Sequence, residues 1–135
     1  MSFKKFLKEY LKTLKENITK NQLDLLEQYL DQIFSKIGID IEFTRHFHDR
    51  LNDKRNIKPI TLGELAQVFK DLYTKYGKKI TELGDDIEAV LNHMRTDINI
   101  PFVLNHNKKD GSFELVSKTI MRKPDFKTSN PKIKI

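Results

Sequence analysis

Residues 39–65 have the sequence IDIEFTRHFHDRLNDKRNIKPITLGEL, and this stretch predicts a strand that leads directly into helical structure. The segment IDIEFT alternates apolar and polar side chains among β-forming residues, which predicts a short strand over 39–44. Apolar side chains then recur every four residues, at Phe43, Phe47 and Leu51. Because that spacing is typical of a helix with one buried face, the chain is predicted to become helical directly after the strand.

A second helix of this stretch begins at Thr61. Thr61 and Glu64 form a capping box, in which a threonine hydroxyl and a glutamate three residues later bind the free N–H groups of a helix start. Apolar residues follow at helical spacing, namely Leu62, Leu65, Phe69, Leu72 and Tyr76. Gly77 ends this pattern, as glycine commonly does after a helix, so a helix is predicted over 61–76.

Two amphipathic helices are predicted upstream of the strand. Apolar residues recur at helical spacing in two groups: Phe3, Phe6, Leu7, Tyr10, Leu11 and Leu14, then Leu23, Leu26, Leu30, Ile33, Phe34 and Ile37. Gly38 stops the second group in the manner of a C-terminal glycine. We therefore expect an amphipathic helical segment over 1–37 and an α+β domain over 38–135, together forming one compact domain.

The chain downstream of residue 77 predicts one more helix and a hairpin. A weaker helical pattern (Ile80, Leu83, Ile87, Val90, Leu91 and Met94) predicts a helix over about 85–95. Segments 98–104 and 113–121 are β-type, and Asp110-Gly111 in the loop between them is a strong hairpin signal. Pro101 indicates an exposed edge or a bulge in the first of these strands.

The predicted fold class is α+β. Each of the strands 39–44, 98–104 and 113–121 has an apolar face that must be covered. We therefore expect the N-terminal amphipathic helices to precede a small antiparallel sheet that packs on helix 61–76. The final residues KIKI, at 132–135, are a candidate for one further strand.

Composition limits the chemistry that the chain can perform. A length of 135 residues suits one domain, and the lack of cysteine excludes disulfides, thiolate zinc sites and cysteine nucleophiles. No stretch approaches the ~20 consecutive apolar residues of a membrane helix, and the opening MSFKKFLKEY lacks the apolar core of a signal peptide. We expect a cytoplasmic protein that does not enter a membrane and needs no metal or cofactor.

Positive charge is concentrated near the C-terminus. The formal net charge is +6, and residues 106–135 contain eight Lys or Arg against three Asp or Glu. A concentrated positive field favours a polyanionic partner, and nucleic acid is the commonest one in the cytoplasm. A solvated lysine-rich surface would have the same composition.

His46 and Arg50 are candidates for chemistry on RNA. On a helix they lie one turn apart on one face, whereas His48 lies about 200° around the helix from His46. Cleavage of RNA by its own 2′-hydroxyl needs proton transfer and cations at the phosphate, which histidine and arginine supply without a metal. Ordinary surface residues would show the same spacing, and nothing distinguishes His93 and His106 from surface residues.

A second set of cations lies on the last predicted strand. Alternation along residues 114–122 would place Lys118 and Arg122 on one face, where they could form a second cationic wall. Lys123 and Lys127 follow them and could track a phosphate backbone. The sequence therefore predicts that the C-terminal half contributes to binding of RNA.

At this point the sequence resembles a known family. The run at 41–65 resembles the opening of small RelE-like domains, in which a strand ending in Phe-Thr-x-His leads into a helix with Arg four residues after the His. RegB-type phage endoribonucleases, which cut messenger RNA, have a similar placement. The wider group of barnase, EndoU, colicin and RelE-like nucleases ends in a hairpin with Thr or Ser and basic residues on its last strand. Residues 117–123 (SKTIMRK) are similar to that strand.

The resemblance covers residues 39–124 and implies a site. Thr44, His46 and Arg50 match its first cluster, with Arg55 after them. Thr119 and Arg122 match its second cluster, to which Lys118 also belongs. The chain departs from the family pattern in two places. The helix predicted at 85–95 stands where the family usually continues directly into strands, and the first two helices are longer than in its minimal members.

The leading hypothesis is a metal-independent endoribonuclease, phage-encoded or toxin-like, with His46 as general base or acid. Arg50 and Arg122 would bind phosphate, and Lys118 would support them. One alternative is a non-catalytic member of the same fold that binds RNA or protein. Another is a phage virion or interaction protein in which helices 3–35 pack on a host or phage partner or on a second copy. The opening MSFKKFLKEYLK also resembles the head-targeting segments of internal proteins of tailed phages.

Overall fold

A computed structural model describes residues 2–6, 17–56 and 58–135. The fold is α+β, as predicted, with helices packed on a mixed six-stranded sheet. The helices are α1 (Lys20–Phe34), α2 (Arg45–Leu51) and α3 (Leu62–Tyr76), and 3₁₀ turns cover Ser35–Ile37 and Gly77–Leu83. The strands are β1 (Ile39–Phe43), β2 (Ile87–His93), β3 (Ile98–His106), β4 (Phe113–Ser117), β5 (Met121–Arg122) and β6 (Lys132–Lys134).

The helix starts follow their caps. Thr19 and Gln22 form a capping box at α1, and Thr61 and Glu64 form the predicted one at α3. Fully buried residues of α1 and α3 share one core with the sheet, among them Leu26, Leu30, Phe34, Leu65 and Phe69. Gly38 has a positive φ of 74°, which allows the chain to turn from α1 into β1.

The N-terminal helix prediction is only partly covered by the described residues. Residues 3–6 are helical, and Phe6 is buried against Tyr29 with a ring-centroid distance of 5.8 Å. Residues 7–16, which hold the rest of that predicted helix, lie outside the described residues. Within the part of the chain that the structure describes, there is no helix with the length and apolar character needed to cross a membrane.

The sheet has the order β1-β4-β3-β2-β6, and β5 pairs with β3. β4, β3 and β2 are antiparallel neighbours, but β1 is parallel to β4 and β6 is parallel to β2. The prediction of an antiparallel sheet is therefore wrong. The chain leaves β1 and reaches β4 only after crossing through two helices and two other strands, and such a long crossover permits a parallel pair.

The prediction of a helix over 85–95 is also wrong, because Ile87–His93 forms the strand β2. Ala89, Leu91 and His93 alternate toward the core, so the same apolar residues fit a strand as well as a helix. Gly84 (φ 108°) and Asp86 (φ 57°) have backbone conformations that interrupt a helix at its expected start. Because β2 pairs with both β3 and β6, the segment forms a strand and not a helix.

The predicted hairpin and the last strand are present. β3 and β4 are joined by a loop in which Gly111 has a positive φ of 76°. The pairing opposite β3 is interrupted after Ser117, where the Lys118 N–H donates to the Pro101 carbonyl. Pro101 has no N–H to return on that side, so the pairing breaks between β4 and β5. The expectation of an exposed edge at Pro101 is wrong, because β3 pairs with β2 on one side and β4 on the other. The candidate strand at KIKI is confirmed as β6.

Candidate active site

The carboxyl ends of β1 and β4 lie side by side, because these strands are parallel and Phe43 pairs with Ser117. Thr44 joins the two ends: its N–H donates to the Ser117 carbonyl at 3.2 Å, and its hydroxyl donates to the Lys118 carbonyl at 2.9 Å. The same oxygen accepts the N–H of Phe47 at 3.0 Å and caps α2. The start of α2 is therefore fixed to the segment after β4, although 74 residues separate Thr44 from Lys118.

α2 presents His46 to solvent and Arg50 one helical turn later. Arg50 Nη1 donates to Asp53 Oδ2 at 3.0 Å, and Arg55 Nη2 donates to the same oxygen at 2.9 Å. One carboxylate thus holds two guanidinium groups, and the cluster of these three side chains keeps a net positive charge. The structure brings Arg55 beside Arg50, where both could bind a phosphate.

His48 faces away from His46, as the helical spacing predicts. It is half-buried, and its Nε2 lies 3.0 Å from the Ile18 carbonyl, to which it donates. The Asn52 amide binds both backbone groups of Ile18, accepting from its N–H at 2.9 Å and donating to its carbonyl at 2.8 Å. His48 and Asn52 therefore anchor the chain ahead of α1.

Lys118 is exposed and forms an ion pair with Glu88 at 3.0 Å. Asp40, Glu42 and Glu114 lie on the open sheet face, because they alternate with core residues along β1 and β4. Burial and the neighbouring Glu42 charge raise the pKa of Glu114. The open face of the sheet is therefore acidic next to Lys118.

Arg122 does not belong to this set, which corrects the prediction that it clamps phosphate on one face with Lys118. Its side chain is 4% exposed. The guanidinium donates to the carbonyls of Lys58 (3.2 Å), Thr96 (2.9 Å) and Pro59 (3.1 Å) and to Glu64 Oε1 (2.6 Å). The break between β4 and β5 removes the expected alternation, and the donors of Arg122 are used inside the protein.

The other predicted RNA contacts are spread along the sheet. Thr119 is half-buried, and Lys123 and Lys127 are exposed. Ser117 pairs with Phe102, but Arg122 pairs with Ile98. Four residues of strand span about 13 Å, so Lys123 lies well beyond the end of β4.

The last strand is also far from the junction. β6 is at the opposite edge of the sheet from β1, about four strand spacings or ~19 Å away. The basic C-terminal residues therefore do not converge on His46.

His93 is a residue whose environment the sequence analysis missed. It is 2% exposed, with Nε2 at 2.8 Å from Asp71 Oδ2 and Nδ1 at 2.6 Å from Thr96 Oγ1. Its assignment to the surface is wrong because it ends β2 on the core face of the sheet. The alternation Ala89, Leu91, His93 is the signal that could have found it, once the segment is treated as a strand. His106 is half-buried and stacks on Phe113.

Carboxylates of α1 close the free edge of the sheet at β1. Asp31 Oδ1 accepts the Ile41 N–H at 2.7 Å, and Glu27 Oε2 accepts the Phe43 N–H at 3.3 Å. Burial raises the pKa of Asp31 to about 7; the bond from Ile41 opposes this, and the nearby Asp40 carboxyl adds to it. Burial likewise raises the pKa of Glu27. These two side chains cover N–H groups that could otherwise pair with another strand.

Comparison of the chain with protein-family models, with curated proteins and with solved structures found no match. Among residues 2–6, 17–56 and 58–135, no group of three or more His, Cys, Asp or Glu side chains is arranged to hold a metal ion. The functional interpretation therefore depends on the geometry of the side chains described above.

Proposed function

We propose that this protein is a metal-independent endoribonuclease that cleaves RNA by attack of the 2′-hydroxyl on the adjacent phosphate. His46 would take the proton from the hydroxyl or return one to the leaving 5′-oxygen. Arg50 and Arg55 would bind the phosphate and the charge that gathers on it. Lys118 would approach the same phosphodiester from the side of β4. An enzyme of this kind acts on messenger RNA in the cytoplasm of a cell, including a phage-infected one.

The observation that carries the proposal is the junction of β1 and β4 at Thr44. Parallel strands end at the same edge of a sheet, and ligands of α/β proteins commonly bind where such ends meet. The two hydrogen bonds of Thr44 join the His46 helix to the backbone of Lys118. These backbone connections between distant parts of the chain support the proposal that His46, the two arginines and Lys118 act as positioned groups.

Electrostatics favour one approach for RNA. Asp40, Glu42, Glu88 and Glu114 make the open sheet face acidic, and like charges repel a phosphate backbone. Arg50 and Arg55 keep a net positive charge around Asp53. We therefore expect RNA to contact the α2 side of the junction and to avoid the open face of the sheet.

The test is incubation of the purified protein with end-labelled RNA in the presence of EDTA. Cleavage that leaves 2′,3′-cyclic phosphate ends supports the proposal, because those ends arise only when the 2′-hydroxyl is the nucleophile. His106→Ala is a matched control, since it removes an imidazole far along β3 from the junction, and it should retain cleavage. Products that appear only without EDTA would overturn the metal-independent mechanism, and equal cleavage by a folded His46→Ala protein would remove His46 from it.

A second candidate function is binding of RNA without cleavage. Lys118 is already paired with Glu88, and His46 is the one exposed histidine among the described residues, since the imidazole of His48 donates to the Ile18 carbonyl. Reactions of this type commonly use both a base and an acid, so a single imidazole favours binding alone. Salt-dependent binding of RNA with no cleavage over long incubation would support this alternative.

A further inference from the structure

A cleft beside α3 contains a buried histidine that the proposed ribonuclease site does not use. The cavity measures about 360 Å³, which falls within the ~300–1,000 Å³ typical of small-molecule sites. Phe3 and Phe6 form an apolar wall, and Lys70, His93, Arg95 and Thr96 line the polar side. Thr96 also lines a neighbouring cavity of about 220 Å³, so it lies where the two cavities meet.

Three side chains form a hydrogen-bonded chain that ends at this cleft. Asp71 Oδ2 lies 2.8 Å from His93 Nε2, and His93 Nδ1 lies 2.6 Å from Thr96 Oγ1. Gln67 donates to the other carboxylate oxygen of Asp71 at 2.7 Å. The carboxylate comes from α3 and the imidazole from the end of β2. The hydroxyl comes from the β2–β3 turn, which is half-exposed at this residue.

The hydrogens of this chain can be assigned from the chemistry of its ends. Burial raises the pKa of Asp71, but the hydrogen bonds from His93 and Gln67 and the nearby positive charges outweigh it and hold that pKa below its ordinary value. The carboxylate is therefore ionised near neutral pH and can only accept, so His93 Nε2 carries a hydrogen. In the neutral imidazole, Nδ1 then has only a lone pair, and the Thr96 hydroxyl must donate to it.

Both backbone groups of Thr96 are hydrogen-bonded. Its N–H donates to the His93 carbonyl at 3.3 Å, and its own carbonyl accepts from Arg122 Nη1 at 2.9 Å. Arg122 is itself fixed by Glu64. A hydroxyl bound to an imidazole base, which a carboxylate orients in turn, is the arrangement that activates an alcohol as a nucleophile.

We propose that Thr96 is a nucleophile for acyl transfer, with His93 as its general base and Asp71 as a positioning residue, in a cleft that takes an ester with an apolar acyl group. Thr96 Oγ1 attacks the ester carbonyl and passes its proton to His93 Nδ1. The bond to the alcohol breaks, and the alcohol leaves with that proton. Water then attacks the acyl-threonine, its proton passes through His93, and the acid and the free Thr96 hydroxyl are restored. The cations that line the cleft are Lys70, whose Nζ lies 3.9 Å from the centroid of the Phe3 ring, and Arg95, whose Nη2 lies 3.8 Å from Asp71 Oδ2. One of them would turn toward the carbonyl oxygen as negative charge develops.

The experiment uses 4-nitrophenyl acetate and the full chain. We expect release of 4-nitrophenolate and an acetyl group on the peptide that contains Thr96, mapped by mass spectrometry after acid quenching. Thr96→Val and His93→Gln should each lower the release by at least ~10²-fold, because each removes a group that takes part in proton transfer. Thr74→Val, which deletes an exposed threonine hydroxyl of α3, is the matched control and should react as the parent does.

Thermal unfolding of each variant separates chemistry from folding. If Thr96→Val fails to fold, Thr96→Ser keeps a hydroxyl at the same position and should retain acetylation there. Asp71→Asn should lower kcat more than it raises KM and should shift the pH profile, since it changes the orientation and basicity of His93. Acetylation confined to lysines, or full activity in folded Thr96→Val, would overturn the proposal. Asp71, His93 and Thr96 would then have only a structural role, in which their hydrogen bonds hold the β2–β3 turn against α3. The ribonuclease proposal shares no residue with this cleft, so it would stand in either case.

Discussion

The histidines of the β1–β4 junction and of the cleft beside α3 have opposite environments. His46 is exposed on a short helix, and its surroundings come from the meeting of two parallel strand ends. His93 is buried at a strand end, with both ring nitrogens bonded to side chains. Exposed cations at the first site suit a large charged polymer, whereas a partly closed cleft at the second suits a small molecule. Residue type alone does not distinguish a histidine that faces a polymer from one that faces a small molecule, because the two differ in burial.

The largest expected effect concerns Arg122 and tests the view that it supports the fold and does not bind RNA. Arg122→Ala should lower the free energy of unfolding by about 3–5 kcal/mol, since it leaves Glu64 without its buried partner and three carbonyls without a donor. Urea unfolding followed by circular dichroism measures this change. Lys123→Ala removes the same charge from an exposed position and should cost less than about 0.5 kcal/mol. An equal loss of unfolding free energy in the two variants would show that Arg122 does not support the fold through buried bonds.

His46→Ala should lower RNA cleavage by at least ~10²-fold while the unfolding midpoint stays unchanged, because an exposed proton-transfer residue contributes to rate and not to the core. Single-turnover cleavage of a short RNA measures the effect. His48→Ala provides the contrast, because it should reduce stability through the lost bond to Ile18 more than it reduces the rate at a given folded fraction. A folded His46→Ala protein that cleaves normally would remove His46 from the mechanism.

The salt dependence of RNA affinity shows which residues contact phosphate. Each phosphate neutralised on single-stranded RNA contributes roughly 0.7 to the log-log slope of affinity against salt. Replacing Arg50 and Arg55 together by Ala should therefore reduce the magnitude of the slope by about 1.4, measured by fluorescence anisotropy over a range of KCl. The double change Lys132→Ala and Lys134→Ala removes the same charge at the far edge of the sheet and should leave the slope near the parent value. The opposite ranking would move the RNA interface to the C-terminal strand.

A further prediction concerns how stability depends on pH at the edge of β1. The pKa of Asp31 is raised to about 7 in the folded state, so the native protein holds that proton more tightly than the unfolded chain does. This contribution to stability is fully present below about pH 4 and is lost as the pH rises through about 7. Asp31→Asn should therefore raise the melting temperature at pH 8 and change it little at pH 4, as measured by differential scanning fluorimetry. If Asp31→Asn changed the melting temperature by the same amount at pH 4 and pH 8, Asp31 would not titrate in this range.

Local signals in the sequence predicted much of the helical structure. Thr61 with Glu64, Gly38 and Asp110-Gly111 each act within a few residues, so the sequence alone indicates where α3 begins, where the chain turns into β1 and where the hairpin lies. The same is true of His46 and Arg50, which share a face because helical spacing requires it.

Contacts between distant residues decided the rest. The segment at 87–93 is a strand because β3 and β6 pair with it on both sides, and its apolar pattern alone fits either structure. The parallel pairing of β1 with β4 decides that Thr44 meets Lys118, and the break opposite Pro101 decides that Arg122 turns inward. Hydrogen-bond partners of this kind lie tens of residues apart, and no local spacing encodes them. The sequence by itself therefore determined the α+β class, the caps and the basic charge, whereas the tertiary structure decided which charged and titratable side chains reach solvent.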